Sequence, residues 1–481
     1  MNHRFVPLFV LGAALLVFLL IPLRIVSMGF LPADDVMRHS AKVVSGRDWS
    51  DILILREDIE TDSHPGWHSV LRAVHSLTRD GPEPLAVFSM TALFLVACAL
   101  PALSMKRPEA WMIALLTAVS ARPGWTMRLM LGRPFLVSVA VLLVICLSAR
   151  RLESRRSPWA LLTALTAGMT AATWMHCSWY LFALPLICFV AARRFRSALR
   201  LGIVLALGAI LGAALTGHPL MLLTQSVVHG LRALGHAPDQ AVLAEEFQSS
   251  PPDIAVAIIV LMVAGWRTAT GRVHAGQLSR DPVLWLAGTG WILGQYVSRF
   301  WSDWGMPAAI IWISLVVHDE LESRTNRFSP ARAITAVLAA GALYVSTTAD
   351  FSRRWTRSTR LSFLSADNPG MAEALPGEGG VFYNTNMTLF YTTFYANPKA
   401  NWRYVAGFEP TMMPEELLRT YRAIRLTGGN SPAAYAPLVE RMTPEDCLAL
   451  GPGCSRPPHV PGLKWISPAR GYWIGKIPDR E

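Results

Sequence analysis

The stretch FVPLFVLGAALLVFLLIPLRIVSMGFLPADDV, residues 5–36, decides the fold that the sequence predicts. Its first part, residues 5–28, is almost entirely apolar, and a run of about 20 such residues crosses a bilayer as a helix. Comparable runs recur along the first three quarters of the chain, which is 52% hydrophobic and 16% charged. Soluble domains carry about 25% charged residues. The sequence therefore predicts a membrane protein with many spans.

Apolar runs predict about eleven membrane-spanning helices, all within residues 1–349. The predicted spans are residues 5–28, 85–105, 110–125, 134–149, 159–174, 179–192, 199–216, 254–266, 283–297, 305–318 and 331–348. Residues 350–481 have the composition of a soluble domain. We expect an all-α membrane domain over residues 1–349, with a long loop at 29–84, followed by a small C-terminal α/β domain over residues 350–481.

Basic residues are concentrated between alternate spans, and this pattern predicts the orientation. The clusters lie at residues 106–107, 150–156, 193–200, 267–280 and 324–332. Cytoplasmic loops of membrane proteins carry an excess of Lys and Arg, so these loops and the N-terminus are predicted to be cytoplasmic. The loop at 29–84 and residues 350–481 then lie outside, in a multi-pass protein of the cell inner (plasma) membrane. The net charge of +11 reflects this topology and indicates no nucleic-acid partner.

The two extracytoplasmic segments carry local patterns of their own. Apolar residues at helical spacing predict short amphipathic helices at 34–44 and 63–77, lying in the membrane interface. In the C-terminal region we expect strands at 381–383, 402–406, 465–467 and 472–477, and a helix at 414–424. A disulfide between Cys447 and Cys454 is expected if this region lies outside the cytoplasm.

Asp34 and Asp35 follow the first predicted span and lie at its outer mouth. A carboxylate there can act as a general base toward a hydroxyl or an amine, or can help to hold a divalent metal. The alternative is structural, because acids at the start of a helix cap its free N–H groups and complement its dipole. The two roles are compatible, since one aspartate can cap while the other reacts.

This acidic pair is accompanied by SHPGW at residues 63–67, by GRPF at 132–135 and by many spans that precede an outer C-terminal region. Together these features resemble the GT-C superfamily of integral-membrane glycosyltransferases, in particular its mannosyltransferase- and aminoarabinose-transferase-like members. The resemblance implies that Asp34 or Asp35 is the catalytic base or a metal-linked carboxylate. It also implies a polyprenyl-phosphate or polyprenyl-pyrophosphate sugar donor. The chain lacks a Trp-Trp-Asp motif and has a small C-terminal region, which disfavours oligosaccharide transfer to protein.

Four arginines are the predicted ligands of the donor phosphate. Arg122, Arg128 and Arg133 flank the outer ends of the third and fourth spans, and Arg299 lies between the ninth and tenth. A guanidinium group binds phosphate through two parallel hydrogen bonds, and Arg133 is the favoured member. The alternatives are anchoring at lipid headgroups and, for Arg299, a local ion pair with Asp303.

Two further pairs are predicted to contact the substrate. His64 and His68 are four residues apart and share one helical face, which suits contacts with sugar or phosphate. A metal site and plain interfacial packing are the alternatives; no third ligand and no His-Glu-x-x-His motif accompanies them. Glu245 and Glu246 lie in a later outer loop, where the resemblance to the GT-C superfamily implies a glutamate that contacts substrate or metal; a solvated acidic turn is the alternative. The sequence names no cofactor and leaves a divalent metal open.

The predicted function is transfer of a hexose or pentose from a polyprenyl-phosphate donor to a glycan, lipid or protein acceptor at the extracytoplasmic face. Asp34 or Asp35 would take the acceptor's proton in an inverting reaction, while the arginines balance the charge of the departing phosphate. A transporter or flippase of lipid-linked sugars is the alternative, which predicts ionisable residues within spans and repeat symmetry, both scarce here. A membrane scaffold is a third hypothesis, and it leaves the acidic loop unexplained.

Overall fold

A computed structural model describes residues 5–59, 62–154, 158–235, 248, 254–360, 362–407 and 409–478. The helices up to residue 235 are α1 (Val6–Ser27), α2 (Asp35–Ser45), α3 (Trp49–Ile52), α4 (Pro65–Thr78), α5 (Pro82–Ser104), α6 (Pro108–Ala121), α7 (Gly124–Leu129), α8 (Phe135–Leu147), α9 (Ala149–Leu152), α10 (Trp159–Met175), α11 (Ala183–Ala191), α12 (Phe195–Ala214) and α13 (Pro219–Gly235).

The later helices include a π turn at Trp301–Gly305, which joins α17 to α18. They are α14 (Ile254–Ala269), α15 (Ala275–Leu278), α16 (Pro282–Gly294), α17 (Ser298–Phe300), α18 (Met306–Arg324), α19 (Pro330–Thr348), α20 (Pro369–Ala372), α21 (Met387–Ala396), α22 (Glu415–Leu426) and α23 (Ala436–Val439). The strands are β1 (Val381–Asn384), β2 (Arg403–Tyr404), β3 (Cys447–Leu450), β4 (Lys464–Ile466) and β5 (Trp473–Lys476).

Each of the eleven predicted spans coincides with a helix. Proline often opens such a helix, because its missing N–H is one of those that the first turn leaves unpaired. Within the described part of the chain, five helices are long and apolar enough to cross a membrane. They are Val6–Ser27, Pro82–Ser104, Phe195–Ala214, Ser298–Arg324 and Pro330–Thr348. The other helices at predicted spans are shorter, so the number of eleven crossings stays a prediction.

The loop between α1 and α5 folds into α2, α3 and α4, and the two longer helices confirm the predicted ones. Their place in the membrane interface stays a prediction. Eight of the eleven residues of α2 are buried, and the helix packs between α4, α5 and α21 of the C-terminal region. The loop is also joined to that region by backbone hydrogen bonds of 2.9 Å, from Ile54 to Tyr404 and from Arg56 to Met412. The C-terminal region therefore covers the first loop.

The C-terminal sheet has the strand order β2-β1-β3-β5-β4. β1 is parallel to β2 and β3, whereas β5 is antiparallel to β3 and β4. The predicted strands and the predicted helix at α22 are confirmed, with β2 shorter than expected, while β3 and α21 were not predicted. The expected disulfide is wrong: Cys447 is a free thiol buried in β3, and Cys454 is also free.

Candidate active site

The acidic pair lies at the start of α2, where Asp34 is the N-cap residue. Its side chain accepts a 2.7 Å hydrogen bond from the backbone N–H of Asp35, which confirms the capping role. Both oxygens of Asp34 also accept hydrogen bonds from Arg133, each of 2.8 Å. Asp35 pairs with Arg38 at 3.0 Å and lies 3.9 Å from Nε of Arg133. These four side chains form the acid–arginine cluster.

A glycine lets α2 come close to Arg133. Gly132 has φ +65°, and a Cβ at this position would lie 2.7 Å from Cβ of Val36. Such a left-handed conformation costs a residue with a side chain about 1–2 kcal/mol. The segment before α8 can pass beside the first turn of α2 because residue 132 has no side chain. This close approach sets the distance between Asp34 and Arg133.

A second charged group, the Asp303 triad, consists of Asp303, Arg128 and Arg299. Asp303 lies in the π turn before α18 and is 3% exposed. Its oxygens accept hydrogen bonds from Arg128, of 2.5 and 2.7 Å, and from Arg299, of 3.1 Å. The expected ion pair between Arg299 and Asp303 is thus confirmed. The guanidinium group of Arg299 also lies 4.8 Å from the centre of the Phe135 ring, a cation–π distance.

The third group, the histidine cluster, consists of His39, His64 and His68 with Asp62. Nδ1 of His39 lies 2.8 Å from Nε2 of His68, and Nδ1 of His68 is hydrogen-bonded to Asp62. The other oxygen of Asp62 accepts hydrogen bonds from the backbone N–H of His64, at 3.0 Å, and from the indole of Trp49, at 3.2 Å. His39 and His68 are fully buried, and His64 is 6% exposed.

The surroundings of the histidine cluster determine its protonation. Burial, together with His64 and Arg38, lowers the pKa of His39 well below 6.5. Burial and Arg38 likewise lower the pKa of His64. Burial alone would raise the pKa of Asp62, but the charge and hydrogen bond of His68 hold that pKa below its usual value. At neutral pH, His39 and His64 are therefore uncharged beside an ionised Asp62.

Ring contacts join the histidine cluster to the Asp303 triad. The ring centres of His39 and His64 are 4.7 Å apart, and those of His64 and His176 are 5.0 Å apart. His176 in turn lies 5.1 Å from Phe135, the ring that contacts Arg299. Because Phe135 begins α8 just after the acid–arginine cluster, all three groups lie together at one end of the helices.

Most of the predicted site residues belong to these three groups. They are Asp34, Asp35, His64, His68, Arg128, Arg133 and Arg299. Arg122 is the C-cap residue of α6, six positions before Arg128, and its phosphate contact stays a prediction. Glu245 and Glu246 lie outside the described residues. The sequence analysis missed His39 and Asp62. The signal for His39 is a polar residue on the apolar face of a predicted helix.

The arrangement offers ligands for an anion. Within the described residues, no three side chains of His, Cys, Asp or Glu are arranged to hold a metal ion. The arginines present guanidinium groups, and the acids next to them hold those groups in fixed orientations. A phosphate oxygen and a proton acceptor could therefore be accommodated side by side.

No protein-family model matches the chain, and no curated protein matches it. Among solved structures, it is similar to the Archaeoglobus fulgidus oligosaccharyltransferase tethered by a disulfide bond with an acceptor peptide that contains the NVT sequon. The TM-score is 0.48 and the identity is 11%, over 91% of this chain and 69% of that one. A similarity at this level assigns neither a family nor an activity to the chain.

Proposed function

We propose that the chain is a membrane glycosyltransferase that moves a sugar from a polyprenyl-phosphate donor to an acceptor. The observation that carries the proposal is the bidentate contact between Asp34 and Arg133, which are 99 residues apart in sequence. A second carboxylate, that of Asp35, lies beside this contact. The contact places acids and arginines at the end of the apolar helices, where a lipid-linked phosphate and a reacting hydroxyl would meet.

The arginines are proposed to bind the donor phosphate. The acid–arginine cluster and the Asp303 triad together hold four arginines against three aspartates, so one positive charge is in excess. A partly buried excess charge favours an anionic ligand, and a guanidinium group matches the geometry of phosphate oxygens. This charge would also stabilise the phosphate as it departs from the sugar.

Asp35 is proposed as the base that takes the acceptor's proton. Asp34 caps α2 and uses both of its oxygens to hold Arg133, so its role is to orient that arginine. Asp35 has one close ion pair, with Arg38, and its other oxygen is 3.9 Å from Arg133. The activated acceptor would attack the anomeric carbon from the face opposite the phosphate, which inverts its configuration. General-base catalysis typically contributes about 10²–10⁴-fold to the rate.

The proposal is tested by sugar transfer in proteoliposomes that contain radiolabelled polyprenyl-phosphate sugars and a membrane extract as the source of acceptors. Asp35→Asn is expected to lower transfer by about 10²–10⁴-fold. Asp58→Asn is the matched control, because Asp58 lies in the same loop but pairs with Arg56 and Arg232 instead. A parallel assay with chelator decides whether a divalent metal is needed.

Two outcomes would contradict the proposal. Full transfer by both Asp34→Asn and Asp35→Asn would exclude the acidic pair from the chemistry. Labelled donors that cross the bilayer intact, without transfer in any lipid tested, would favour the transporter hypothesis.

A further inference from the structure

Two buried imidazole nitrogens stand out from the hydrogen-bonded groups around them. Nε2 of His39 and Nδ1 of His64 have no hydrogen-bond partner in the described part of the chain. A buried polar atom without a partner costs about 1–3 kcal/mol, and nearly all such atoms in folded proteins are paired. Two of them on rings 4.7 Å apart suggest a place for an external polar group.

The hydrogen bonds within the histidine cluster determine what His39 offers. The carboxylate of Asp62 is an acceptor, so the Nδ1–H of His68 donates to it. Nε2 of His68 and Nδ1 of His39 lie 2.8 Å apart and share one hydrogen bond, whose donor depends on the tautomers of the two rings. Nε2 of His39 can therefore donate or accept a further hydrogen bond, according to the tautomer. Asp62 thus orients two successive imidazoles and leaves an unpaired nitrogen at the end of the series.

An uncharged imidazole nitrogen selects a particular kind of ligand. A hydroxyl group both donates and accepts hydrogen bonds, so it can pair with a neutral imidazole nitrogen in either tautomer. The low pKa of His39 and of His64 keeps both rings neutral at pH 7, which excludes an ion pair with an anion. Anion binding is instead available at Arg299, which is connected to His64 through His176 and Phe135.

We infer that His39 and His64 form a subsite for the sugar hydroxyls of the lipid-linked donor, whose phosphate lies on the arginines. The inference rests on the proposed function for the identity of the donor. It adds that the neutral, hydroxyl-bearing part of the donor is recognised by the loop between α1 and α5. Asp62 is a positioning residue in this subsite, because it acts through His68 and His39.

The test compares binding of decaprenyl phosphate with binding of the same lipid carrying mannose, glucose or arabinose. His39→Asn keeps a polar atom near the position of Nδ1 and removes the one at Nε2, whereas His39→Gln does the reverse. For His64 the roles are exchanged, since Nδ1 is the unpaired atom: His64→Gln removes it and His64→Asn keeps it. Unfolding temperatures of all four variants show whether each remains folded.

We expect His39→Asn and His64→Gln to weaken binding of the sugar-bearing lipid by about tenfold, the effect of one lost hydrogen bond. Binding of bare decaprenyl phosphate should not change, and His39→Gln and His64→Asn should bind both lipids almost as the wild type does. Asp62→Asn should weaken sugar-dependent binding by less than His39→Asn does, because it disturbs only the orientation of His39. Arg133→Gln, in contrast, should weaken binding of both lipids equally.

Three results would overturn the subsite. In the first, the wild type binds none of the sugar-bearing lipids more tightly than decaprenyl phosphate. In the second, the variants of each pair affect both lipids alike. In the third, the variants change only the unfolding temperature, which would indicate that the two nitrogens bind a buried water.

Because binding is measured without turnover, failure of the subsite is distinguishable from failure of the proposed function. Sugar-dependent binding that His39→Asn abolishes, in a protein that transfers no sugar, would support the subsite and refute the transferase. If the wild type transfers sugar but its histidine variants bind both lipids normally, the transferase would be supported and the subsite refuted.

Discussion

Two ion triads of the same net charge, each with one acid between two arginines, lie at opposite ends of α6 and α18. At one end Glu109 accepts hydrogen bonds from Arg107, at 3.3 Å, and from Arg332, at 2.6 and 3.1 Å. Arg332 also donates to the backbone carbonyls of Lys106 and Arg327. The side chains of Glu109 and Arg332 are each 1% exposed. This Glu109 triad is enclosed by other protein groups.

The Asp303 triad at the other end has the same charges but is more open. The side chains of Arg128 and Arg299 are 21% and 17% exposed. An enclosed triad can hold helices together but cannot receive a ligand, whereas partly exposed arginines can also bind an anion. The exposure of the guanidinium groups therefore distinguishes a structural contact from a candidate donor site.

The largest expected effect is the loss of stability when the Glu109 triad is broken. Glu109→Gln leaves Arg107 and Arg332 buried without their carboxylate, and breaking a buried ion pair in this way costs about 3–5 kcal/mol. The measurement is the free energy of unfolding in detergent micelles. Glu322→Gln is the control, because Glu322 is 61% exposed and lies on the same end of α18. Equal unfolding free energies for the two variants would show that the Glu109 triad does not stabilise the fold.

For the Asp303 triad we expect a smaller loss of stability, together with a loss of activity. Asp303→Asn removes the acceptor that orients Arg128 and Arg299, at a cost of about 1–3 kcal/mol. Transfer should fall at least tenfold through a higher KM for the donor, because the arginines no longer share a fixed orientation. Unfolding and transfer are measured on the same preparation. If Asp303→Asn is as unstable as Glu109→Gln and its KM is normal, the two triads do not differ in role.

The position of α2 relative to Arg133 can be tested at a glycine. Gly132→Ala combines an unfavourable φ with a clash against Val36, and we expect it to cost more than the conformational term of about 1–2 kcal/mol. Gly46→Ala is the matched control, since Gly46 has the same φ of +65° and a Cβ there would meet nothing within 4 Å. Transfer should fall only in Gly132→Ala. Identical behaviour of the two variants would mean that the close approach does not position Asp34.

The smallest effect is on the pH dependence of stability. The folded state holds His39 and His64 neutral, whereas in the unfolded chain they take up protons below about pH 6.5. Their contribution to the free energy of unfolding is complete above that pH and is lost as the pH falls. The loss is roughly 1 kcal/mol between pH 7 and 6. A variant with both His39→Gln and His64→Asn should show a flatter profile of unfolding free energy. If the slope of this profile is the same as in the wild type, other residues cause the pH dependence.

The helices were predictable, because crossing a membrane depends on local composition, and a run of apolar residues displays it directly. The contacts of the site were not. Arg133 and Asp303 were predicted separately as parts of local patterns, but the folding of distant segments gives them their partners Asp34 and Arg128. His39 was not predicted, because it is neither an acid nor one of a His pair at the end of a span. α21 was missed because its aromatic and threonine-rich sequence also suits a strand.

The measurement that tests the central claim most directly separates binding from chemistry in Asp35→Asn. Binding of decaprenyl phosphate and donor consumption are measured in the same proteoliposomes, next to wild type and Asp58→Asn. We expect Asp35→Asn to bind the lipid within a few-fold of wild type and to consume donor at least 100-fold more slowly, because a base contributes to the reaction rather than to binding. Donor consumption at the wild-type rate would contradict the assignment of a catalytic site at the start of α2.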